Sequence, residues 1–224
     1  MDMKFRHEWK HEINTADYLA LRSRLYAIAK PEPHGVNGVY KIRSLYFDDL
    51  YDTALKEKIN GINFREKFRI RYYNHDTSFI RLEKKSKING LCNKQQAMLT
   101  VPEVQAILDG DYSFMATDPR ELVKEFYTKI RTKGLRPKTL VDYDRDAFIF
   151  PAGNVRVTLD YHIRTGMLST DFLNPNSLTV PASDAIILEV KWDEFLPDVI
   201  RDAVALEGRR SGAFSKYEVC RIYG

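Results

Sequence analysis

Five stretches of this chain place charged residues on alternate positions, with one threonine among them. That pattern constrains the fold more than any other feature. In residues 4–13 the charged set is Lys4, Arg6, Glu8, Lys10 and Glu12, opposite Phe5, His7, Trp9, His11 and Ile13. In 63–73, Arg65, Lys67, Arg69 and Arg71 oppose Phe64, Phe68, Ile70 and Tyr72. Arg81, Glu83, Lys85 and Lys87 share one face of 79–87. Arg156, Thr158 and Asp160 oppose Val155, Val157, Leu159 and Tyr161, and Glu189, Lys191 and Asp193 oppose Ile186, Leu188, Val190 and Trp192. A period of two is the signature of a β-strand with two unlike faces. One such strand fits the wet side of an ordinary antiparallel sheet. Five together, with so few Thr, Ser and Gln among the charges, point to a charged interior. The apolar faces then need cover from helices. An eight-stranded antiparallel β-barrel with helices packed outside, in the α+β class, meets both demands and encloses room for one small ligand.

The rest of the chain supplies the parts. Strand patterns fall near 4–13, 39–48, 63–73, 78–87, 91–98, 138–149, 154–164 and 185–193. Asn89-Gly90 reads as a two-residue hairpin turn, and Pro151-Ala152-Gly153-Asn154 as another turn. Asn14 is placed to cap a helix over 15–29 with the stripe Tyr18, Leu21, Leu25, Ile28. A short helix is expected at 50–58. Thr100 and Glu103 form a capping box for 101–109. Asp118-Pro119 reads as a cap and first-turn proline for 119–132, striped by Leu122, Val123, Phe126, Tyr127 and Ile130. Leu196, Val199, Ile200, Ala203 and Val204 line one face of 196–206. No repeat or linker interrupts the pattern, so residues 1–224 read as a single domain.

With 35 basic and 31 acidic residues, the 224-residue chain has a net charge of only +4, so it is no polybasic tail. No apolar run approaches the ~18 residues of a membrane span. The N-terminus has no signal-peptide core, and Cys92 and Cys220 make neither a disulfide framework nor a zinc site, so a cytoplasmic protein is expected. Burying many charges is costly unless they are paired or meet a charged ligand. Excess Arg and Lys with a few carboxylates suits a polyanion held with a metal, because guanidinium groups give bidentate contacts to phosphate oxygens. Glycine-rich phosphate loops, a Ser-His-Asp or Cys-His arrangement and HExxH are all missing from the sequence. Asp142, Asp144 and Asp146 share a face but lack the spacing of a calcium loop.

The ordered segments HEWKHEI, RSLYFDD, FRIRYY, LEKKSK, DRDAF, VRVTLDY, ILEVKW and SKYE resemble the triphosphate tunnel metalloenzymes. Within that CYTH-like superfamily they are most similar to the catalytic segment of the vacuolar transporter chaperone (VTC) polyphosphate polymerases. The resemblance implies an eight-stranded tunnel that transfers the ATP γ-phosphate to a growing polyphosphate chain. It also implies a divalent ion, Mn²⁺ or Mg²⁺. By residue-by-residue carry-over, Lys10, Arg69, Arg71, Lys85, Lys94, Arg145, Arg156, Lys191 and Lys216 would bind substrate. Arg69, Arg71, Arg145, Arg156 and Glu189 would act in catalysis. Glu189 would be the principal metal ligand and Glu8 a second. One departure matters: the hydrolase-like branch begins Glu-x-Glu-x-Lys, whereas this chain has Arg6-x-Glu8-x-Lys10. Losing that carboxylate leans toward the polymerase-like branch.

Two alternatives stay open. A tunnel triphosphatase would hydrolyse inorganic or nucleoside triphosphate on the same scaffold. A polyphosphate- or RNA-binding module would show salt-dependent affinity without turnover; carboxylates interleaved with the basic residues, and no aromatic stacking motif, weigh against nucleic acid. The expected partners are ATP or another triphosphate and polyphosphate. The sequence has no transmembrane segment, and a membrane partner for product export stays open.

Overall fold

The computed structural model describes residues 6–33, 35, 38–88, 91–206, 208, 212 and 214–222. In chain order its strands are β1 (His7–Ile13), β2 (Lys30–Pro31), β3 (Val39–Asp48), β4 (Phe64–Tyr73), β5 (Asp76–Ile88), β6 (Leu91–Leu99), β7 (Arg136–Phe150), β8 (Val155–Thr165), β9 (Val180–Ser183) and β10 (Ile186–Trp192). The helices are α1 (Thr15–Ile28), α2 (Thr53–Ile59), α3 (Val101–Asp109), α4 (Glu121–Lys133), α5 (Asp198–Ala203) and α6 (Lys216–Ile222). The expected Asn89-Gly90 turn, Lys4 and Phe5 lie outside the described residues.

Eight strands form one antiparallel path, β1-β10-β8-β7-β3-β4-β5-β6, with β2 beside β7 and β9 beside β8. The path curls into a half-barrel. Among the described residues, an isolated bridge between Arg6, just before β1, and Cys92 of β6 brings the two ends of the path together. The sequence patterning explains the curl. Outward residues Phe68, Ile70 and Tyr72 of β4 and Ile80 and Leu82 of β5 are buried beneath α3 and α4. Outward Val157, Leu159, Leu188 and Val190 are buried beneath α1 and α5. Phe126 of α4 stacks on Phe68 at 5.1 Å and meets Phe47 edge-on at 4.9 Å between ring centres.

Local signals act as expected at two helix starts. Asn14 accepts from the Asp17 amide at 2.8 Å while the Asp17 carboxylate accepts from the Asn14 amide at 3.2 Å. Thr100 and Glu103 close the same reciprocal box. Two expectations shift. α4 begins at Glu121, because the Asp118 carboxylate accepts from the Arg120 amide at 2.8 Å and holds residues 118–120 as a turn. α5 is a short helix, so Val199 is exposed while Ile200 is buried. The 151–154 turn needs its glycine: Gly153 has φ +70, and a Cβ there would sit 2.3 Å from the Phe195 carbonyl oxygen.

α6 carries no strong helix pattern in the sequence, and it matters most for the site. Its Tyr217 stacks on Tyr46 at 4.9 Å and donates to the buried Asp48 carboxylate at 2.8 Å. Tyr217 and Cys220 pack with Ile42, Tyr46, Val141 and Tyr143. These strand residues alternate with the outward core, so α6 fills part of the concave side and narrows it.

Candidate active site

The charged faces of β1, β4, β5, β8 and β10 converge on one cavity of about 1110 Å³, large enough for a nucleotide-sized ligand. Lys10, Arg69, Arg71, Lys85, Lys94, Arg145, Arg156, Lys191, Lys216, Glu8 and Glu189 all line it. The register shows how. Lys10 lies opposite Glu189, and Glu8 opposite Lys191, across β1 and β10. Arg69 lies opposite Glu83, and Lys67 opposite Lys85, across β4 and β5. Lys85 in turn lies opposite Lys94 on β6.

Three carboxylate centres organise the cations. At the first, Lys10 reaches Glu8 at 2.8 Å and Glu189 at 3.1 Å, while Lys191 reaches Glu189 at 2.7 Å and Glu8 at 3.4 Å. Lys85 joins Glu8 at 3.3 Å. Burial and the adjacent Glu189 push the Glu8 carboxyl up, but Lys85, Lys10 and Lys191 outweigh them and hold it below its ordinary value. Burial likewise opposes the charge on Glu189, and Lys191 and Lys10 overcome it. Lys191 goes the other way: burial, with Lys85 and Lys10 nearby, brings it down to about 8 against the pull of Glu189 and Glu8.

At the second centre, Glu83 is 1% exposed and takes Arg69 at 2.6 Å and Lys94 at 2.5 Å. Arg69 also donates to the Tyr46 hydroxyl at 2.7 Å. Arg71 donates to Ser44 and to the Tyr143 hydroxyl, both at 2.9 Å. At the third, Arg145 holds Asp160 in a bidentate pair at 2.5 and 2.7 Å, and Lys216 from α6 reaches the same carboxylate at 2.5 Å. Arg145 and Lys216 overcome burial and hold the Asp160 carboxyl well below its usual range. Arg156 forms a separate bidentate pair with Glu32 at 2.9 and 2.7 Å.

Sequence reasoning located the tunnel face but not these partners. Glu83 and Asp160 sit on the same faces as the cations, yet only the register reveals them as hubs. Glu32 comes from a loop with no motif. Tyr46 and Tyr143 belong to a buried cluster, and at the cavity wall their hydroxyls accept from Arg69 and Arg71. His162 lies away from the Arg156 face: a bulge between β7 and β8 gives it φ +50, and it pairs with Asp144 at 2.8 Å. Asp142 instead pairs with Arg43, and Asp146 accepts from Tyr18 and Arg22, so the three aspartates hold separate partners. Among the described residues, no three His, Cys, Asp or Glu side chains gather as a metal cluster. The Glu8–Glu189 pair still fits a hard divalent ion, since Mg²⁺ needs only one or two carboxylates when phosphate oxygens complete its shell.

The family model for the VTC domain matches residues 5–222. The chain belongs to the VTC domain family. Comparison with the curated proteins finds no match. Among solved structures, a candidate adenylyl cyclase from Hippeastrum with a dominant triphosphatase activity is similar, with a TM-score of 0.57 and 13% identity over 96% of this chain and 94% of its own. A candidate adenylate cyclase from Bacillus halodurans has a TM-score of 0.51 and 14% identity, covering 85% of this chain and 82% of its own. At these identities the likeness establishes a shared fold alone. No helix among the described residues of this VTC domain is long and apolar enough to cross a membrane.

Proposed function

We propose that this VTC domain is a metal-dependent phosphotransferase that lengthens polyphosphate from ATP. The observation that carries the reading is the cavity itself. Arg69, Arg71, Arg145, Lys94 and Lys216 converge there around Glu83 and Asp160, two of the carboxylates at the site, and cations outnumber carboxylates along the whole lining. Family membership supports the phosphate chemistry.

Phosphoryl transfer asks a protein mainly for alignment and charge neutralisation. Arg69 and Arg145 are each braced by a carboxylate, so their guanidinium groups are preset for equatorial phosphate oxygens. Arg71 is braced mainly by the Ser44 and Tyr143 hydroxyls and stands 3.9 Å from the Glu83 carboxylate, so its charge is less closely paired than those of Arg69 and Arg145. Glu189 and Glu8 would hold the divalent ion, with Lys10 and Lys191 released toward phosphate oxygens. When bound, that ion would supply charge neutralisation for the phosphate chain. The attacking group is the terminal phosphate of the chain, already anionic; it takes the γ-phosphoryl group as the β–γ bond of ATP breaks and ADP leaves, so no dedicated general base is needed.

Hydrolysis is the second reading, because water competes for the same site and the Hippeastrum relative carries triphosphatase activity. Incubation with ATP and Mn²⁺, with products resolved by gel and by phosphate release, separates the two. A ladder of long chains supports the polymerase. Orthophosphate or pyrophosphate alone supports the triphosphatase. Binding of polyphosphate without any product would leave a binding module.

A further inference from the structure

One inward lysine of β4 lacks the counter-ion that its two cross-strand neighbours have. Across β4, β5 and β6 the register aligns Lys67, Lys85 and Lys94 in a row. Like charges directly opposite one another are destabilising. Lys94 is offset by Glu83, and Lys85 by Glu8. Among the described residues no carboxylate pairs with Lys67: its ammonium donates to the Ser215 hydroxyl at 3.2 Å and lies 5.3 Å from the centre of the Tyr217 ring. The next row outward, Arg65 opposite Lys87, adds two more cations. Glu218 is engaged by Lys58 at 3.1 Å.

We propose that Lys67 and Ser215, flanked by Arg65 and Lys85, form a further phosphoryl subsite that binds inorganic chains longer than triphosphate. The inference rests on the phosphate-chain reading above and extends it to chain length. Lys67 stands two strand residues from Arg69, about 7 Å along β4. A chain anchored at Arg69 and Arg71 reaches Lys67 only by extending toward α2 and α6. Burying an ammonium beside like charges without a counter-ion is costly, and an arriving phosphoryl group removes that cost.

The charge state of Lys67 agrees with this geometry. Burial first, then Lys58 of α2 and Arg65 of β4, bring it down to about 7; Lys85 of β5 adds to the shift and Glu218 of α6 opposes it. Lys87 on β5 also faces this end of the cavity. An incoming anion restores the proton. Long-chain binding should therefore tighten as pH falls from about 8 to about 6, by more than tripolyphosphate binding does.

The test is equilibrium binding of tripolyphosphate and of long-chain polyphosphate to the intact chain and to Lys67→Met and Lys67→Arg. Lys67→Met keeps the aliphatic stem, and a thermal melt reports whether it folds. The expected result is that Lys67→Met weakens long-chain binding about tenfold more than tripolyphosphate binding, the scale of one charge-assisted contact. Lys67→Arg should restore the length preference and flatten its pH dependence. Equal losses for the two ligands, or no loss for either, would overturn the subsite while leaving the triphosphate reading in place. Failure of the unaltered chain to bind tripolyphosphate would overturn both. If Lys67→Met does not fold, Lys67→Arg decides alone: a pH dependence identical to that of the unaltered chain would overturn the proposal.

Discussion

The two walls of the cavity solve the same problem differently. On the wall built by β1 and β10, two carboxylates and two lysines interlock, Glu8 and Glu189 with Lys10 and Lys191. On the wall built by β4, β5 and β6, Glu83 stands among Arg65, Lys67, Arg69, Arg71, Arg81, Lys85, Lys87 and Lys94. The first wall is balanced, and on the proposed reading it would exchange a lysine for a divalent ion. The second carries an excess of positive charge, of which Glu8 reaches across to offset only Lys85, and an anionic ligand would offset more.

Removing the metal-side carboxylate breaks the contrast most severely. Glu189→Gln is expected to abolish Mn²⁺- or Mg²⁺-dependent turnover with the fold retained, read by phosphate release alongside a thermal melt. Undiminished turnover would take Glu189 out of the mechanism. Next in size is Asp160→Asn, which leaves Arg145 and Lys216 buried without their counter-ion. A loss of about 3–5 kcal/mol in denaturant unfolding is expected. The sign with pH is definite. The folded Asp160 carboxyl is held below its unfolded value, so its contribution is complete above about pH 4 and fades as pH falls further. Acid unfolding of Asp160→Asn should accordingly be less steep below about pH 4 than that of the unaltered chain.

On the basic wall, Arg69→Ala is expected to lower kcat/KM about 10²–10³-fold, the usual cost of a preorganised donor. A change below about threefold would mean that Arg69 does not meet the reacting phosphate. The smallest effect belongs to the outer surface of the same strands. There Glu66 pairs with Lys84 at 3.3 Å, with Lys129, and with Lys133 at 3.5 Å. Lys133→Ala should cost less than about 0.5 kcal/mol and leave turnover unchanged, because an exposed ion pair is screened by water. A larger loss would show that the inner and outer faces of β4 are energetically coupled.

Much of this was legible in the chain. The alternation Arg65, Lys67, Arg69, Arg71 against Phe68, Ile70, Tyr72 assigns each side chain of β4 to a face before any fold is known, because a strand has period two. The same rule placed Glu8, Lys10, Glu189 and Lys191 on the cavity face, and the capping residues Asn14 and Thr100 at the helix starts, since these are local matters of stereochemistry and hydrogen bonding. Pairing is not local. Arg145 finds Asp160, Arg69 finds Glu83 and Arg156 finds Glu32 only through strand register and a loop conformation, which depend on how distant segments meet. The bulge that turns His162 away from the Arg156 face is a property of the β7–β8 pair. So is the seating of α6 on the concave side, where contacts of Tyr217 with Tyr46 and Asp48 outweigh a weak helical pattern. The sequence by itself determined which residues face the cavity. Only the tertiary structure decided which charges neutralise each other and left Lys67 without a carboxylate, because electrostatic energy depends on distances that no stretch of sequence contains.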